Sequence, residues 1–243
     1  MKQLIFFALF LLAAAAVSAD AVETREFNAS TIKSLTVNNL SGDVFISATS
    51  GKLATIKVTK IEFDQACSLT VAQNGSALKA QVERPGILSN KSCKVRFDIA
   101  VPAKTAVTVA AASSDIEIDG MTGDLSFQTA SGSISGKSEL TAVTGSTSSG
   151  DIELKDIAGP ADIRTSSGDI LLSYKRIPAK GGIDLRTSSG SSEIILPRDS
   201  KISTEFFAAS GRLKNMVGDS PKASFRISGR SASGDLTIKQ ATF

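Results

Sequence analysis

Three copies of one short phrase contain side chains that could bind an ion or an anionic group. Thr147–Asp151 and Thr165–Asp169 both read TSSGD, and Thr187–Ser191 reads TSSGS. An arginine, Arg164 or Arg186, precedes the second and third copies. Glycine, hydroxyls and a carboxylate at fixed spacing could cradle a phosphate, bind calcium along a repeat, or form a structural corner.

The residues that follow the phrase argue against a phosphate-binding loop. Such a loop must lead into the N-terminus of a helix, whose free N–H groups hold the anion. Here the phrase leads into DIELKDI and DILLSY, where apolar and polar residues alternate as they do in a strand. We therefore expect no phosphate site of this kind.

A calcium ladder is a second interpretation, because calcium-binding β-rolls also repeat glycine and aspartate. Calcium takes about six to eight oxygen ligands, and one aspartate per repeat supplies too few. An arginine and two serines also interrupt the column, so we expect no metal and no cofactor. In sequence order the position after each aligned glycine holds Ser133, Asp151, Asp169, Ser191, Arg212 and Asp235.

The third interpretation, a structural corner, is the one that we favour. Glycine tolerates positive φ where the chain turns, and Ser and Asp side chains accept hydrogen bonds from backbone N–H groups exposed at a turn. The predicted corner residues are Gly42, Gly132, Gly150, Asp151, Gly168, Asp169, Gly190, Gly211 and Gly234.

The spacing of these phrases predicts the fold that must position them. The phrase recurs first at 18-residue steps and later at steps of 21 to 23 residues, and apolar residues lie two and four positions after most corners. That alternation indicates half-buried strands, and helix signals are nearly absent. We predict an all-β fold: a β-solenoid, similar to a β-helix or β-roll, with coils of about 18–22 residues. The aligned positions are Ser114, Gly132, Gly150, Gly168, Gly190, Gly211 and Gly234.

The first half of the chain predicts an N-terminal antiparallel β region. Asn74–Gly75 lies between two alternating runs, which is a strong hairpin signal. Cys67 and Cys93 are best explained as one disulfide, because zinc usually takes four ligands and the chain has no histidine. We expect residues 20–110 to form this region and to cap the open first coil of the solenoid, which occupies residues 111–243.

Arg164 and Arg186 fall at equivalent positions of neighbouring coils, and strand alternation turns both outward. One interpretation is a solvated face, with Asp162 and Asp184 two residues earlier as partners. The other is a small basic surface patch for an anionic envelope polymer. The sequence leaves both open.

The residue types in the sequence give little support to a catalytic or a nucleic-acid-binding function. Without histidine, serine and cysteine nucleophiles lack their usual base, and carboxylates at outward strand positions are expected in any case. The 27 basic and 24 acidic residues nearly balance and form no long charge run, so we expect no nucleic-acid partner. Aromatic residues of the kind that stack on bound sugars are also sparse, because the chain has no Trp and one Tyr, Tyr174.

The N-terminus has the pattern of a secretory signal peptide over residues 1–19. Lys2 precedes the apolar run Leu4–Val17, which is shorter than the about 20 residues of a spanning helix, and small residues follow at Val17–Ala19. We predict an exported protein with no transmembrane segment in the mature chain, located in the periplasm or outside the cell, including its surface.

The chain resembles the bacterial adhesin-domain family of unknown function, which is related to the head domains of autotransporter adhesins. The matching residues include VNNLSGDVFI, FDIAVP at Phe97–Pro102, the TSSGDI series and ASGDLTI, and the resemblance spans roughly residues 30–240. It implies an all-β solenoid-like domain on an exported bacterial protein, and it brings no catalytic residues. The lipid-attachment motif of anchored members is missing, so periplasmic and released forms both stay open.

These observations predict an exported, non-enzymatic β-solenoid that serves as an interaction or adhesion module of the cell envelope. Its partner is an unidentified envelope or surface ligand, either protein or polysaccharide. One alternative is a periplasmic scaffold that binds another envelope protein. An alternative of a different class is an enzyme acting on an envelope polysaccharide.

Overall fold

A computed structural model describes residues 21–86 and 91–241, and it confirms the all-β prediction. The described residues form 21 strands and one short 3-10 turn at Ala29–Thr31. Side chains alternate between buried and exposed along most strands, as the period of two in the sequence requires. The predicted signal peptide, residues 1–19, lies outside the described residues.

The strands are short and follow one another at close intervals. In chain order they are β1 (Ala21–Asn28), β2 (Ser34–Ser41), β3 (Val44–Thr49), β4 (Leu53–Phe63), β5 (Ser68–Asn74), β6 (Ala77–Glu83), β7 (Cys93–Pro102), β8 (Ala106–Ser113), β9 (Ile116–Asp119), β10 (Asp124–Ser131), β11 (Ile134–Lys137), β12 (Ala142–Ser149), β13 (Ile152–Ile157), β14 (Ala161–Ser167), β15 (Ile170–Tyr174), β16 (Gly181–Ser189), β17 (Ser192–Leu196), β18 (Ile202–Ser210), β19 (Leu213–Asn215), β20 (Phe225–Ser233) and β21 (Leu236–Gln240).

Each coil of the solenoid gives one strand to each of two faces, which we name the front and back sheets. The front sheet has the order β5-β6-β2-β8-β10-β12-β14-β16-β20-β18. The back sheet has the order β1-β4-β7-β3-β9-β11-β13-β15-β17-β21-β19. All pairs from β6 and β7 onward are parallel, as a stack of similar coils requires.

Apolar side chains at equivalent positions of successive coils form columns between the two sheets. One column on the back sheet is made of isoleucines that the strand register aligns, and each is at most 1% exposed. Parallel strands lie about 4.8 Å apart, so each of these side chains contacts its neighbours in the column. The column consists of Ile116, Ile134, Ile152 and Ile170.

The coil that begins at Gly132 has a weak apolar pattern in the sequence, and the structure explains why. Gly145 takes the place of an apolar residue on β12, directly opposite Phe127 on β10. A Cβ added at Gly145 would lie 2.1 Å from Cζ of the Phe127 ring. The phenyl ring therefore fills the space that a side chain would occupy in the next coil.

The order of coils departs from the order of the chain at both ends of the stack. Strands β20 and β21 lie between β16–β17 and β18–β19, so Asp235 precedes Arg212 along the stack rather than following it. Near the N-terminus, β2 and β3 lie between β6–β7 and β8–β9. Strand pairing therefore places these coils next to distant parts of the sequence.

The N-terminal region combines the predicted antiparallel strands with a parallel coil of its own. β5 and β6 form the hairpin at Asn74–Gly75, where Gly75 has φ +59°, and β4 runs antiparallel to both β1 and β7. β2 and β3, however, stack in parallel on β8 and β9. The predicted boundary at residue 110 falls inside β8, which pairs in parallel with both β2 and β10.

The last coil protects part of its open edge with the loop that follows β19. The N–H of Thr204 on β18 donates to the carboxylate of Asp219 at 2.7 Å, and the N–H of Ser220 donates to the Ile202 carbonyl at 2.7 Å. These bonds occupy backbone groups that would otherwise be free to pair with another chain. The first residues of β18 therefore offer fewer free backbone groups for pairing with another strand.

Tyr174, the only tyrosine, is buried in the core rather than presented on a loop. It ends β15, is 4% exposed and packs edge-on against Phe225, with ring centroids 5.8 Å apart. Its hydroxyl has no hydrogen-bond partner among the described residues, and burial raises the pKa of that hydroxyl above its ordinary value.

We expect Tyr174→Phe to raise the free energy of unfolding by about 1 kcal/mol, because it removes a buried, unpaired polar group and keeps the ring. Urea denaturation of the two proteins measures this difference. A clear loss of stability would show instead that the hydroxyl makes a bond that stabilises the fold.

Candidate functional site

The repeated corners form one line along the stack, where the front sheet passes into the back sheet. The aligned glycines have positive φ angles that L side chains resist. These angles are +93° at Gly42, +130° at Gly132, +134° at Gly150, +123° at Gly168, +116° at Gly190 and +147° at Gly234. Gly211 lies outside this φ region, but a Cβ there would come within 2.1 Å of the Gly234 carbonyl oxygen.

The aspartates of the phrase link neighbouring coils instead of closing their own turns. In each case a backbone N–H after the glycine donates to a carboxylate of the adjacent coil at 2.8 Å. The pairs are Ser133 with Asp115, Asp169 with Asp151, Ser191 with Asp169, and Arg212 with Asp235. The carboxylates are therefore spaced along the stack, and each accepts a hydrogen bond from a neighbouring coil.

The threonine of the phrase closes the turn. The hydroxyl of Thr147 donates to the carbonyl of Ser149 at 3.1 Å, and the hydroxyl of Thr165 donates to the carbonyl of Ser167 at 2.9 Å. Both threonines are buried, so this bond satisfies a carbonyl and a hydroxyl at the edge of the core. Within residues 21–86 and 91–241, no three His, Cys, Asp or Glu side chains cluster as metal ligands would.

Arg164 and Arg186 lie side by side on β14 and β16, and the structure adds a third arginine. Arg230 on β20 is in register with Arg186, and all three side chains are exposed on the outer surface of the front sheet. Phe207 on β18 follows in register with Arg230 and is 58% exposed. We name Arg164, Arg186 and Arg230 the arginine row.

Two members of the arginine row have carboxylate partners and the third does not. Arg164 contacts Asp162 at 3.2 Å, and Arg186 contacts Asp184 at 3.0 Å, as the solvated-face interpretation predicts. Ser228 occupies the equivalent position before Arg230. In the described part of the chain Arg230 therefore forms no ion pair.

A narrow groove of about 330 Å³ lies on one side of the arginine row. Arg164 and Arg186 form one wall, and hydroxyl side chains form the other, among them Ser148, Ser166 and Ser188, which we name the seryl row. No carboxylate lines this groove. It is therefore rich in hydrogen-bond donors and carries positive charge.

A wider groove of about 630 Å³ lies on the other side of the row and has a different character. Asp162, Asp184 and Glu205 line it together with Arg226 and Arg230, and Arg226 pairs with Glu205. The arginine row therefore separates a carboxylate-containing groove from a carboxylate-free one.

The sequence identified Arg164 and Arg186 but missed Arg230 and Phe207. Arg230 follows Arg186 by 44 residues, two coils later in the chain, although their strands are neighbours in the sheet. A signal did exist, because Arg230 stands four residues before Gly234, as Arg164 and Arg186 stand before Gly168 and Gly190.

Comparison with known proteins shows one family and several similar folds. The model of the family described as Toastrack DUF4097 matches residues 27–242. A "putative lipid binding protein" from Parabacteroides distasonis has a similar structure, with 17% identity, a TM-score of 0.51 and coverage of 91% of this chain and 97% of that chain. A "putative adhesin" from Bacteroides fragilis aligns with 14% identity, a TM-score of 0.47 and coverage of 92% and 98%. No curated protein is significantly similar to the chain in sequence.

Proposed function

Because the chain belongs to the Toastrack DUF4097 family, we propose that it is a non-enzymatic binding module of the bacterial cell envelope. The observation that carries the proposal is the arginine row with Phe207, which presents aligned, exposed side chains beside a groove without carboxylates. Such a surface can hold an extended ligand by repeated weak contacts, and the chain has no histidine to serve as a catalytic base.

The names of two similar proteins agree with a binding role. One is called a "putative adhesin" and the other a "putative lipid binding protein", and both names describe binding rather than turnover. For this chain we infer only the shared element, a surface that binds an envelope or surface ligand.

Two features support export and an envelope location. The pattern of residues 1–19 is that of a signal peptide, and Cys67 and Cys93 form a disulfide, which persists in oxidising compartments. No helix among residues 21–86 and 91–241 has the length and apolar character needed to cross a bilayer. We propose that the mature protein is periplasmic or exposed outside the cell.

The binding proposal is tested by sedimentation of the purified protein with isolated cell-wall and membrane preparations. We expect saturable binding to at least one envelope fraction, and the absence of binding to every fraction would contradict the proposal. Protease added to intact cells separates the two locations, because it digests a surface-exposed protein and leaves a periplasmic scaffold intact.

The enzyme alternative has its own test. A panel of envelope polysaccharides is incubated with the protein, and products are detected by chromatography. We expect no products, and robust turnover that disappears in Arg164→Ala would overturn the non-enzymatic assignment.

A further inference from the structure

We propose that the groove between the arginine row and the seryl row binds a linear acidic polysaccharide with a carboxylate on each sugar. This inference rests on the proposed binding function and names the chemical class of its ligand. The groove runs across β12, β14 and β16, so a ligand in it lies along the axis of the stack.

The repeat of the groove matches a polymer of charged sugars. Each coil adds one strand, and neighbouring strands lie about 4.8 Å apart. A pyranose unit in an extended chain has a comparable length, so carboxylates of the polymer can come within reach of Arg164 and Arg186, which line the groove, and of Arg230, which continues the row beyond it. Because Arg164, Arg186 and Arg230 are held in register by the strands, their spacing is fixed before the ligand arrives.

The donors needed to hold carboxylates remain free in the arginine row. A guanidinium has about five N–H donors in a planar fork that suits a carboxylate. Arg164 and Arg186 each use a nitrogen to contact an aspartate of their own strand, and Arg230 has no ion pair in the described part of the chain. Asp162 and Asp184 hold the first two guanidinium groups from the side of the wider groove.

The asymmetry of the two grooves selects the side on which an anion lies. Three carboxylates line the wider groove beside two arginines, so an acidic ligand meets like charges there that the narrow groove does not have. The narrow groove has arginines on one wall and Ser148, Ser166 and Ser188 on the other, and these hydroxyls can bond to sugar hydroxyls.

Phe207 favours a sugar polymer over other polyanions. It continues the arginine row in register with Arg230 and is the most exposed large apolar side chain of the described residues. The C–H face of a sugar ring can pack on an aromatic ring, whereas a polyphosphate offers no such face. A membrane surface would need several apolar side chains around the arginines, and the groove is lined instead by serine, threonine and glutamine.

The test measures binding of polygalacturonate by isothermal titration calorimetry. The ligand controls are fully methyl-esterified polygalacturonate, linear polyphosphate and phosphatidylglycerol vesicles. We expect the purified protein to bind polygalacturonate in a salt-sensitive manner, and to bind the ester, the polyphosphate and the vesicles much more weakly.

Replacing the row as Arg164→Gln, Arg186→Gln and Arg230→Gln should weaken polygalacturonate binding by about ten-fold, since three exposed charge contacts are lost. Arg230→Gln alone should weaken it by a smaller factor, and this single variant breaks no ion pair among residues 21–86 and 91–241. Phe207→Ala should weaken polygalacturonate binding and leave any residual polyphosphate binding unchanged.

A matched control removes the same charge from the outer surface of the back sheet. Lys137→Gln, Lys155→Gln and Lys214→Gln remove two ion-paired side chains and one that forms no ion pair in the described part of the chain. This triple variant should keep the affinity of the wild type within about two-fold, because salt largely screens charges on the back sheet from a ligand on the front sheet.

Three results would overturn the inference. These are equal affinity in the arginine and lysine triple variants, equal binding of the acid and its methyl ester, and binding of polyphosphate or vesicles as tight as that of polygalacturonate. If the protein binds envelope fractions but not polygalacturonate, this inference fails and the proposed function stands. If it binds neither, both fail.

Discussion

Gly168→Val is expected to lower the free energy of unfolding by about 3–5 kcal/mol, at the severe end for a single substitution. Gly168 has φ +123°, and a Cβ there would lie 2.2 Å from the carbonyl oxygen of Gly150 in the adjacent coil. That carbonyl belongs to the stacked backbone and cannot move without opening the pairing of β12 with β14. Strain in one corner therefore disturbs two coils, because each repeat is stabilised by its neighbours.

Asp169→Asn is the matched control, one residue away in the same corner. The amide oxygen can still accept the N–H of Ser191, which Asp169 Oδ1 accepts at 2.8 Å. We expect a change below about 1 kcal/mol. Thermal melting of both variants, with and without a chelator, measures the order of effects. A chelator-sensitive wild type together with a harmless Gly168→Val would contradict the structural role of the corner.

Removing the disulfide as Cys67→Ala with Cys93→Ala should cost about 3 kcal/mol of stability on the chain-entropy model. The bond joins residues 26 apart, and both cysteines are buried, at 8% and 5% exposed. It ties the residue directly before β5 to the start of β7, and so closes a loop around the β5–β6 hairpin. Without the disulfide we expect the β5–β6 hairpin to open before the rest of the stack.

Chemical denaturation of the oxidised wild type, the reduced wild type and the double variant measures this effect. The reduced wild type should match the double variant, and reductant should leave the double variant unchanged. A double variant as stable as the oxidised protein would show that strand pairing alone holds the β5–β6 hairpin in place.

The repeat unit and its strands could be predicted from the sequence because they depend on local spacing. Ile152 and Leu154 follow Gly150 at the offsets that place them inside, and both are 1% exposed. The hairpin at Asn74–Gly75 was equally local. The order of the coils in the stack could not be predicted in this way, because similar short strands can stack in any order and only the fit of their side chains decides among them. Gly145 shows this, since its place in the core depends on the ring of Phe127 one coil away.

The candidate site could be predicted only in part, for the same reason. Arg164 and Arg186 share a step of 22 residues, which the sequence pattern reveals. Arg230 and Phe207 join them through strands β20 and β18, whose order in the sheet is reversed relative to the chain. Tyr174 stands at the start of the insertion in the sequence, but its ring packs on Phe225, which lies 51 residues later.

Arginine footprinting determines whether the front sheet binds the envelope ligand through the arginine row. The protein is treated with phenylglyoxal, free and bound to an envelope fraction, and modified residues are identified by mass spectrometry. We expect the bound protein to be protected at Arg164, Arg186 and Arg230, while Arg25 and Arg198, which are also exposed, stay reactive. Protection at Arg25 or Arg198 with a fully reactive arginine row would contradict the account.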